Sequence, residues 1–319
     1  MTKINIVACF DRGFVMPTGV MIYSVCANNQ DVDIDFHLVV DESVTEGDKN
    51  DLMNTIEAFR GKTTFFYEIN SQYSSAFPIF IEERLTRSTY YRLCLAEILP
   101  PKLEKVLYLD GDCIVRHSLL SLWDMDISNY AIGAVFDVSE GKIEFYNRLR
   151  YPRELGYFNA GVLLINLDYW RRNNIQRQFL DFIESHPERI KFEDQDVMNV
   201  VFQDKKLFLP AKYNFQMNFL LRIATWDYWK QEKDVKEAIA DPVIVHYSTN
   251  DKPWNAYTHH PHPFNSTFYK YQNLTKWKGV RYEKRSIKQK ISNCIGDYLR
   301  GIGILVPIRT KYIDVLPVD

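Results

Sequence analysis

The sequence predicts an α/β fold built on a mostly parallel sheet with helices on both faces. Short apolar runs, typical of buried strands, alternate with stretches in which apolar residues recur at helical spacing. Polar and acidic residues stand where several strand-like runs end, and parallel α/β sheets bind their ligands at such carboxyl ends. The chain has 319 residues, of which 46% are hydrophobic and 14% aromatic, which is enough apolar material for the core of such a fold.

The individual elements follow from the same patterns. The strand-like runs are residues 4–9, 34–40, 63–69, 105–109, 131–136, 161–165 and 243–245. Helical spacing is shown by three apolar sets: Leu52, Ile56 and Phe59; Tyr91, Cys94, Leu95 and Ile98; and Ile175, Phe179, Phe182 and Ile183. Pro100 and Pro101 are expected to end the second helix. Because no repeat or low-complexity linker occurs up to about Trp254, one catalytic domain is the simpler interpretation.

Composition excludes several classes of protein. The formal net charge is only -2, so no overall field favours nucleic acid as a partner. There is neither a signal-peptide pattern nor an apolar stretch approaching the roughly 18 residues that a membrane-spanning helix needs. The cysteines are odd in number and lack metal-ligand spacing, and we expect them to be reduced in the cytoplasm. They are Cys9, Cys26, Cys94, Cys113 and Cys294.

The segment Asp110-Gly111-Asp112 directly follows the strand-like run 105–109. Glycine permits a sharp turn, so we expect the two carboxylates to converge. Converging carboxylates repel each other unless a cation lies between them, and Mg²⁺ and Mn²⁺ take oxygen ligands that they share with substrate phosphates. The segment therefore predicts a site for a metal and a diphosphate. Taken alone, so short a motif is more often a polar turn after a strand.

Three later segments favour the metal site over the polar turn. They are Tyr157-Phe158-Asn159-Ala160-Gly161 with the apolar run that follows, Phe192-Glu193-Asp194-Gln195-Asp196, and the stretch from His246 to Trp254. Together with the Asp110 segment, and in this order, they resemble the retaining glycosyltransferases of family 8. The bacterial hexosyltransferases that extend lipopolysaccharide outer core or lipooligosaccharide are the most similar. The resemblance covers about residues 4–254.

The resemblance implies a GT-A fold, in which a Rossmann-like nucleotide-binding half is fused to a less regular acceptor half. We assign residues 1–265 to this catalytic domain and residues 266–319 to a C-terminal segment. By the same resemblance, Asp11 should reach the uracil or ribose of a UDP-sugar, with the backbone of Cys9 and Gly13 nearby. Arg12 and Gly13 depart from the family pattern, and a capping role is the alternative for Asp11. Arg92 should reach the donor sugar or its phosphate.

The family pattern also assigns residues to the donor sugar. Asn159 should hydrogen-bond its hydroxyls, while Ala160 and Gly161 should leave room for the hexose ring. Asp194 should accept a hydrogen bond from the sugar, and Gln195 should lie near the anomeric carbon. A double displacement requires a carboxylate nucleophile, whereas an amide is a poor one. We therefore expect front-face attack through an oxocarbenium-like ion pair, with a covalent route through Asp194 as the alternative.

The metal ligands implied by the family are Asp110, Asp112 and His246. Two carboxylates and an imidazole favour Mn²⁺, with Mg²⁺ as the alternative. Lys252 should add a second positive charge at the diphosphate. A separate group of histidines resembles a metal cluster, but prolines interrupt it, and we interpret it as a surface loop. Its members are His259, His260 and His262.

The last part of the chain combines basic residues with an apolar helical pattern. The basic residues are Lys276, Lys278, Arg281, Lys284, Arg285, Lys288 and Lys290, and Glu283 is the acidic residue among them. The apolar residues are Ile291, Ile295, Leu299, Ile302, Leu305 and Val306, with Trp277 and Tyr298 nearby. Such a segment is either an anchor on an anionic membrane surface or a helix packed on the core. The resemblance favours the anchor, because many relatives act on lipid-linked acceptors at the cytoplasmic leaflet.

The sequence as a whole predicts retaining transfer of galactose or glucose from a UDP-sugar to a saccharide acceptor. The product would belong to lipopolysaccharide or another surface glycan. One alternative is a catalytically silent module of the same fold that binds a sugar nucleotide or glycan, but the chain keeps Asp110, Asp112, Gln195 and His246. The other is a metal-dependent nucleotidyltransferase, which usually has a glycine-rich phosphate loop near its N-terminus. Only Arg12-Gly13 vaguely offers one.

Overall fold

The computed structural model describes residues 3–69, 87–137, 143–220, 232–255, 262–282 and 287–302. Its strands are Lys3–Phe10 (β1), Asp33–Val40 (β2), Lys62–Glu68 (β3), Lys105–Leu109 (β4), Cys113–Val115 (β5), Ile132–Phe136 (β6), Phe158–Asn166 (β7), Lys206–Phe208 (β8), Phe215–Gln216 (β9) and Ile244–His246 (β10). Its α-helices are Val15–Asn28 (α1), Glu46–Ile56 (α2), Leu95–Ile98 (α3), Leu120–Trp123 (α4), Ile143–Leu149 (α5), Leu167–Arg172 (α6), Ile175–Ser185 (α7), Glu193–Val201 (α8), Glu232–Ala240 (α9), Asn265–Gln272 (α10) and Ile287–Gly301 (α11).

Two sheets organise the described residues. The larger has seven strands in the order β3-β2-β1-β4-β7-β6-β8, and the smaller has the order β5-β10-β9. Within the larger sheet β7 runs antiparallel to β4 and β6, while the other neighbouring strands are parallel. The prediction of a mostly parallel α/β sheet is therefore confirmed.

The larger sheet separates two apolar cores, because successive side chains of a strand point to opposite faces. In β1, Ile6 and Ala8 lie in one core and Val7 and Cys9 in the other. Helix α1 covers the first core, and helices α6 to α8 cover the second. The apolar stripe predicted for residues 175–183 is buried in the second core as expected.

The second predicted helix is mostly a 3₁₀ helix rather than an α-helix. Residues Arg87–Cys94 form a 3₁₀ helix, and α3 adds a single α-helical turn. Leu99 is extended, with φ -83° and ψ 148°, because the residue before a proline is driven out of the helical region. Pro100 therefore ends the segment as predicted, and the preceding turns bring Arg92 into the interior, where its side chain is buried.

The antiparallel direction of β7 positions the functional residues. Leu109, at the end of β4, pairs with Val162, and Phe136, at the end of β6, pairs with Phe158. The first residues of β7 therefore lie at the same edge as the carboxyl ends of β4 and β6. His246 ends β10 of the smaller sheet, and the N–H of Tyr247 donates to the carbonyl of Asp112 at 3.0 Å, which places His246 beside the turn that follows β4.

The first part of the C-terminal segment packs on the rest of the chain. Helix α10 lies on α1, where Asn28 Nδ2 donates to the hydroxyl of Tyr271 at 2.7 Å. The buried ring of Trp277 fills the space that a side chain at Gly19 would need. Trp277 is thus a core residue and no part of an exposed anchor. Packing alone does not define a folding unit, so the domain division after residue 265 stays a prediction.

Helix α11 presents apolar side chains to solvent. The exposed residues share one side of the helical pattern and are Ile287, Ile291, Ile295, Tyr298 and Ile302. Their exposure does not fit a helix whose apolar face packs on the core, and the membrane anchor stays a prediction. Among the helices that the structure describes, none is both long enough and apolar enough to cross a membrane.

Candidate active site

The turn after β4 places two carboxylates at the sheet edge. The N–H of Cys113 donates to the carbonyl of Asp110 at 3.1 Å and closes the turn. Gly111 does not have a left-handed φ; instead, a Cβ there would lie 2.4 Å from Thr18 Oγ1 of α1. The glycine is therefore required because the turn and the helix approach each other closely.

His246 lies opposite the two carboxylates. Its Nε2 is 3.2 Å from Asp112 Oδ1 and 3.7 Å from Asp110 Oδ2. A Cβ on Gly161 would lie 2.2 Å from the His246 ring and 2.8 Å from Asp110 Oδ2. Gly161 thus makes room for these side chains, and its predicted role beside the sugar ring stays a prediction. The three predicted metal ligands lie together.

Lys252 pairs with the second carboxylate of the turn. Its Nζ is 2.5 Å from Asp112 Oδ2 and donates to the carbonyl of Tyr247 as well. Burial raises the pKa of the Asp112 carboxyl, but the charge of Lys252, followed by the contact with His246, outweighs it, and the pKa lies well below its ordinary value. Asp112 Oδ1 is buried and lacks a hydrogen-bond partner among the described residues. A buried, ionised oxygen facing an imidazole nitrogen is suited to a cation.

Among the described residues, one set of three side chains has its ligand atoms close enough together to hold a metal ion. Potential ligand atoms of Asp112, Cys113 and His246 lie within 4.8 Å of one another. Burial raises the pKa of the Cys113 thiol well above its ordinary value, and the charges of Asp112 and Asp110 raise it further. Since metals bind the thiolate rather than the thiol, Asp110 is the better third ligand for a hard cation.

Arg92 is the central cation of the interior part of the site. Its Nη2 is 2.9 Å from Asp110 Oδ1, its Nε is 3.0 Å from Asp194 Oδ2, and its Nη1 donates to the carbonyl of Ala160 at 2.8 Å. The guanidinium also lies 4.5 Å from the ring centre of Tyr108. Arg92 therefore fixes two carboxylates relative to each other. Its contact with a donor sugar stays a prediction.

Asp194 is buried beside this arginine. Burial raises the pKa of its carboxyl to about 7, with Asp110 adding to the rise while Arg92 opposes it. The carboxyl thus changes its charge near neutral pH. An up-shifted carboxyl in a crevice is typical of functional sites, although its hydrogen bond to a sugar stays a prediction.

Asp196 faces away from Asp194 and is fully buried. Its oxygens accept hydrogen bonds from groups around the loop before α8, namely Arg148, the hydroxyl of Tyr157 and the N–H groups of Lys191 and Phe192. The loop holds Glu193 at a φ of 38°, which is uncommon for a residue with a side chain. Asp196 therefore fixes the backbone that carries Asp194 and Gln195.

Gln195 is held by two hydrogen bonds. Its Oε1 accepts from the N–H of Ala160 at 3.0 Å, and its Nε2 donates to Asp137 Oδ2 at 3.2 Å. Asn159 Nδ2 donates to the same Asp137 oxygen at 3.1 Å. Asp137 was not among the residues predicted from the sequence, yet it directly follows the strand-like run 131–136, the kind of position that identified Asp110.

A second missed residue links Asn159 to the metal ligands. Asn214 is fully buried, and its Nδ2 donates to Asn159 Oδ1 at 2.9 Å. Its Oδ1 lies 2.9 Å from His246 Nδ1. A lone asparagine between aromatic residues, before a two-residue strand, gives no sequence signal for such a position.

The residues predicted to bind the nucleotide lie at the end of β1. Asp11 Oδ1 accepts from the N–H of Gly13 at 2.8 Å, so the carboxylate caps the short 3₁₀ helix that precedes α1. Cys9 is buried in β1, and burial raises the pKa of its thiol. The capping role weighed for Asp11 is therefore observed, and the nucleotide contacts of Cys9, Asp11 and Gly13 stay predictions.

The interpretation of the late histidines as a surface loop is wrong for His262. Its side chain is buried, its ring centre lies 4.8 Å from that of Tyr247, and its Nδ1 accepts from the N–H of Phe264 at 3.2 Å. Aromatic neighbours rather than solvent surround it, and burial lowers its pKa to about 3. His259 and His260 lie outside the described residues.

Comparison with known proteins gives consistent results. The profile of glycosyl transferase family 8 matches residues 5–258. General stress protein A of Bacillus subtilis strain 168 is 28% identical over 280 residues, covering 86% of this chain and 95% of that protein. Lipopolysaccharide 1,3-galactosyltransferase of Salmonella typhimurium is 29% identical, covering 81% and 75%. The crystal structure of galactosyltransferase LgtC with donor and acceptor sugar analogs superposes with a TM-score of 0.77 at 26% identity, covering 90% and 99%.

The role of Gly161 can be tested by adding one methyl group. Gly161→Ala should displace His246 or Asp110 and weaken Mn²⁺ binding at least about tenfold, measured by isothermal titration calorimetry. Gly133→Ala, on neighbouring β6, is the matched control, because its added methyl meets Leu209 and not the site. Equal Mn²⁺ affinity of the Gly161→Ala protein and the wild type would contradict this assignment.

Proposed function

The chain belongs to glycosyltransferase family 8, and on that premise we propose that it transfers galactose or glucose from a UDP-sugar to a saccharide acceptor with retention of configuration. The observation that carries the proposal is the convergence of Asp110, Asp112 and His246 at one sheet edge. Asp194 and Gln195 lie across Arg92 and Ala160 from them. In such a crevice the diphosphate would lie at the first group of residues, and the attached sugar would lie at the second.

The proposed metal is Mn²⁺, with Mg²⁺ as the alternative. Two carboxylates and one imidazole nitrogen suit Mn²⁺, and the partnerless Asp112 Oδ1 supports a cation there. When bound, the ion would neutralise charge on the diphosphate leaving group. Lys252 lies on the other oxygen of Asp112, so its positive charge would be next to the same diphosphate.

The proposed reaction is front-face displacement. The bond from the anomeric carbon to the diphosphate oxygen breaks, the acceptor oxygen bonds on the same face, and its proton passes to the departing phosphate. The fixed carbonyl of Gln195 would stabilise positive charge at the anomeric carbon. Asp196 cannot serve as a nucleophile in this conformation, because four groups donate to its buried carboxylate. Asp194 pairs with Arg92, which also disfavours a covalent route.

We further propose that α11 lies on an anionic membrane surface at the cytoplasmic face, where a lipid-linked acceptor would be found. Its exposed isoleucines support this, as do the basic residues Lys284, Arg285, Lys288 and Lys290 in the sequence. Two basic residues before α11 contact other parts of the chain instead: Lys276 pairs with Asp51, and Arg281 donates to Gln272. The proposed membrane surface therefore begins after residue 282.

Turnover should depend on a divalent metal and on a UDP-hexose. EDTA should abolish release of UDP from UDP-galactose or UDP-glucose, and Mn²⁺ should restore it, because the carboxylates lose their shared cation. Asp112→Asn should have the same effect as EDTA. Asp241→Asn removes an exposed carboxylate paired with Arg116 and should have none. Full activity in EDTA would refute the metal site, and release of pyrophosphate would indicate a nucleotidyltransferase.

Substitution of Gln195 should lower the catalytic rate more than it weakens the binding of UDP. Gln195→Ala should lower kcat by about 10²-fold or more while the UDP affinity changes little, since its dipole matters when charge develops in the transition state. Gln272→Ala removes a buried glutamine of α10 and serves as the control.

The product linkage and the intact mass of the enzyme test the same mechanism. NMR should show an α linkage, and mass spectrometry should show no hexosyl adduct on the native enzyme during turnover. A β linkage would refute retention. A hexosyl adduct on Asp194 would replace the front-face mechanism with a double displacement.

Membrane binding should depend on the exposed isoleucines. The double variant Ile291→Ser/Ile295→Ser should bind anionic vesicles at least about tenfold more weakly in cosedimentation, because complete burial of one isoleucine contributes about 1.5–3 kcal/mol. Leu274→Ser changes an exposed apolar residue outside α11 and is the control. High salt should weaken binding as well. Unchanged vesicle binding by the double variant would contradict the anchor.

A further inference from the structure

Asn214 lies between the candidate metal ligand His246 and the Asn-Ala-Gly segment. Its side chain is fully buried, and each end makes one contact: Nδ2 with Asn159 Oδ1 and Oδ1 with His246 Nδ1, both at 2.9 Å. Both contacts join side chains, so neither belongs to the hydrogen bonding of the sheets. A buried amide that serves only other side chains points to a role in arranging them.

The donor and the acceptor of each of these hydrogen bonds can be assigned by starting from the backbone of Gly161. The N–H of Gly161 can only donate, so the Asn159 atom that faces it at 3.0 Å must be the oxygen. Asn159 Nδ2 then donates to the Asp137 carboxylate, which can only accept when ionised. Because Asn159 Oδ1 is an acceptor, Asn214 must turn its NH₂ group toward it.

The oxygen of Asn214 consequently faces the imidazole of His246. An amide oxygen accepts and never donates, so Nδ1 of His246 must carry the hydrogen. In the neutral ring, Nε2 then presents a lone pair in the direction of Asp112 Oδ1 at 3.2 Å and Asp110 Oδ2 at 3.7 Å. Three electron-rich atoms thus converge, which is the arrangement that a cation requires. A free histidine prefers the opposite tautomer, with the hydrogen on Nε2.

We propose that Asn214 is a positioning residue for metal binding, which holds His246 in the Nδ1–H tautomer and leaves Nε2 free for the cation. This inference rests on the proposed metal-dependent function. Partners of this type, one step beyond the ligand, typically change metal affinity by 10- to 100-fold when they are removed. The contact also fixes the plane of the imidazole ring, since Nδ1 has a single direction in which to donate.

The first test needs no metal. In metal-free wild-type protein, titrated upward until the His246 ring is neutral, ¹⁵N-edited NMR of the histidine rings should show His246 with Nδ1 protonated and Nε2 unprotonated. The signal is assigned by its loss in the His246→Gln protein. Asn214→Ala should remove the preference and give the Nε2–H tautomer or a mixture. Asn214→Asp keeps an acceptor for Nδ1–H and should keep the tautomer.

The second test measures binding of Mn²⁺ alone by electron paramagnetic resonance. Asn214→Ala should bind Mn²⁺ about 10- to 100-fold more weakly, while Asn214→Asp should recover most of the affinity. Asn166→Ala is the matched control, because it deletes a buried asparagine at the opposite end of β7, where Asn166 donates to the carbonyls of Ile127 and Tyr130. The control should lose stability without losing Mn²⁺ affinity.

The outcomes separate this inference from the proposed function. An Nε2–H tautomer in the wild type would overturn it, and that measurement stands even if Asn214→Ala does not fold. Equal Mn²⁺ affinity of Asn214→Ala and wild type would overturn it as well. A wild type that binds no Mn²⁺ but shows the Nδ1–H tautomer would refute the metal site and leave the tautomer assignment intact.

Discussion

Burial of negative charge at one sheet edge is the constraint on which the other features depend. Asp112 and Asp194 are buried and Asp110 is partly buried, while Arg92 and Lys252 are the cations that contact them in the described structure. Buried charges are costly unless they are paired. Burial, with a smaller contribution from Asp110, raises the pKa of Asp194 to about 7 although Arg92 opposes it. A divalent cation would offset the negative charge of these carboxylates and would also give the crevice the positive charge that a diphosphate requires.

The fold meets this constraint by bringing separate segments to one edge at close range. The reversed direction of β7 places Asn159, Ala160 and Gly161 beside the ends of β4 and β6, and the smaller sheet contributes His246. Contacts this close require glycine at two positions, 111 and 161, where any side chain would collide with Thr18 or with His246. Hydrogen bonds through Asn214, Asn159 and Asp137 then connect the proposed metal ligands to Gln195. The same residues therefore set the geometry of the proposed cation site and of the proposed reaction centre.

Much of this arrangement could be predicted from local patterns, and the rest could not. Apolar runs with polar ends located the strands and the Asp110 segment, because burial and periodicity leave a direct trace in the sequence. Asn214 leaves no such trace, since its importance arises from contacts made across the folded chain. The tail shows the same division: its composition indicated a basic amphipathic segment, but only packing reveals that Trp277 fills the space above Gly19 while Ile291 remains exposed.

The central claim is that the carboxylates of Asp110 and Asp112 share one divalent cation with Nε2 of His246. Crystals grown with UDP and Mn²⁺ test it most directly, through an anomalous difference map recorded near the manganese absorption edge. We predict one strong peak within bonding distance of all three side chains, at about 2.0–2.4 Å from each ligand atom. A map without a peak there, or a peak bound through Cys113 with Asp110 turned away, would contradict the account.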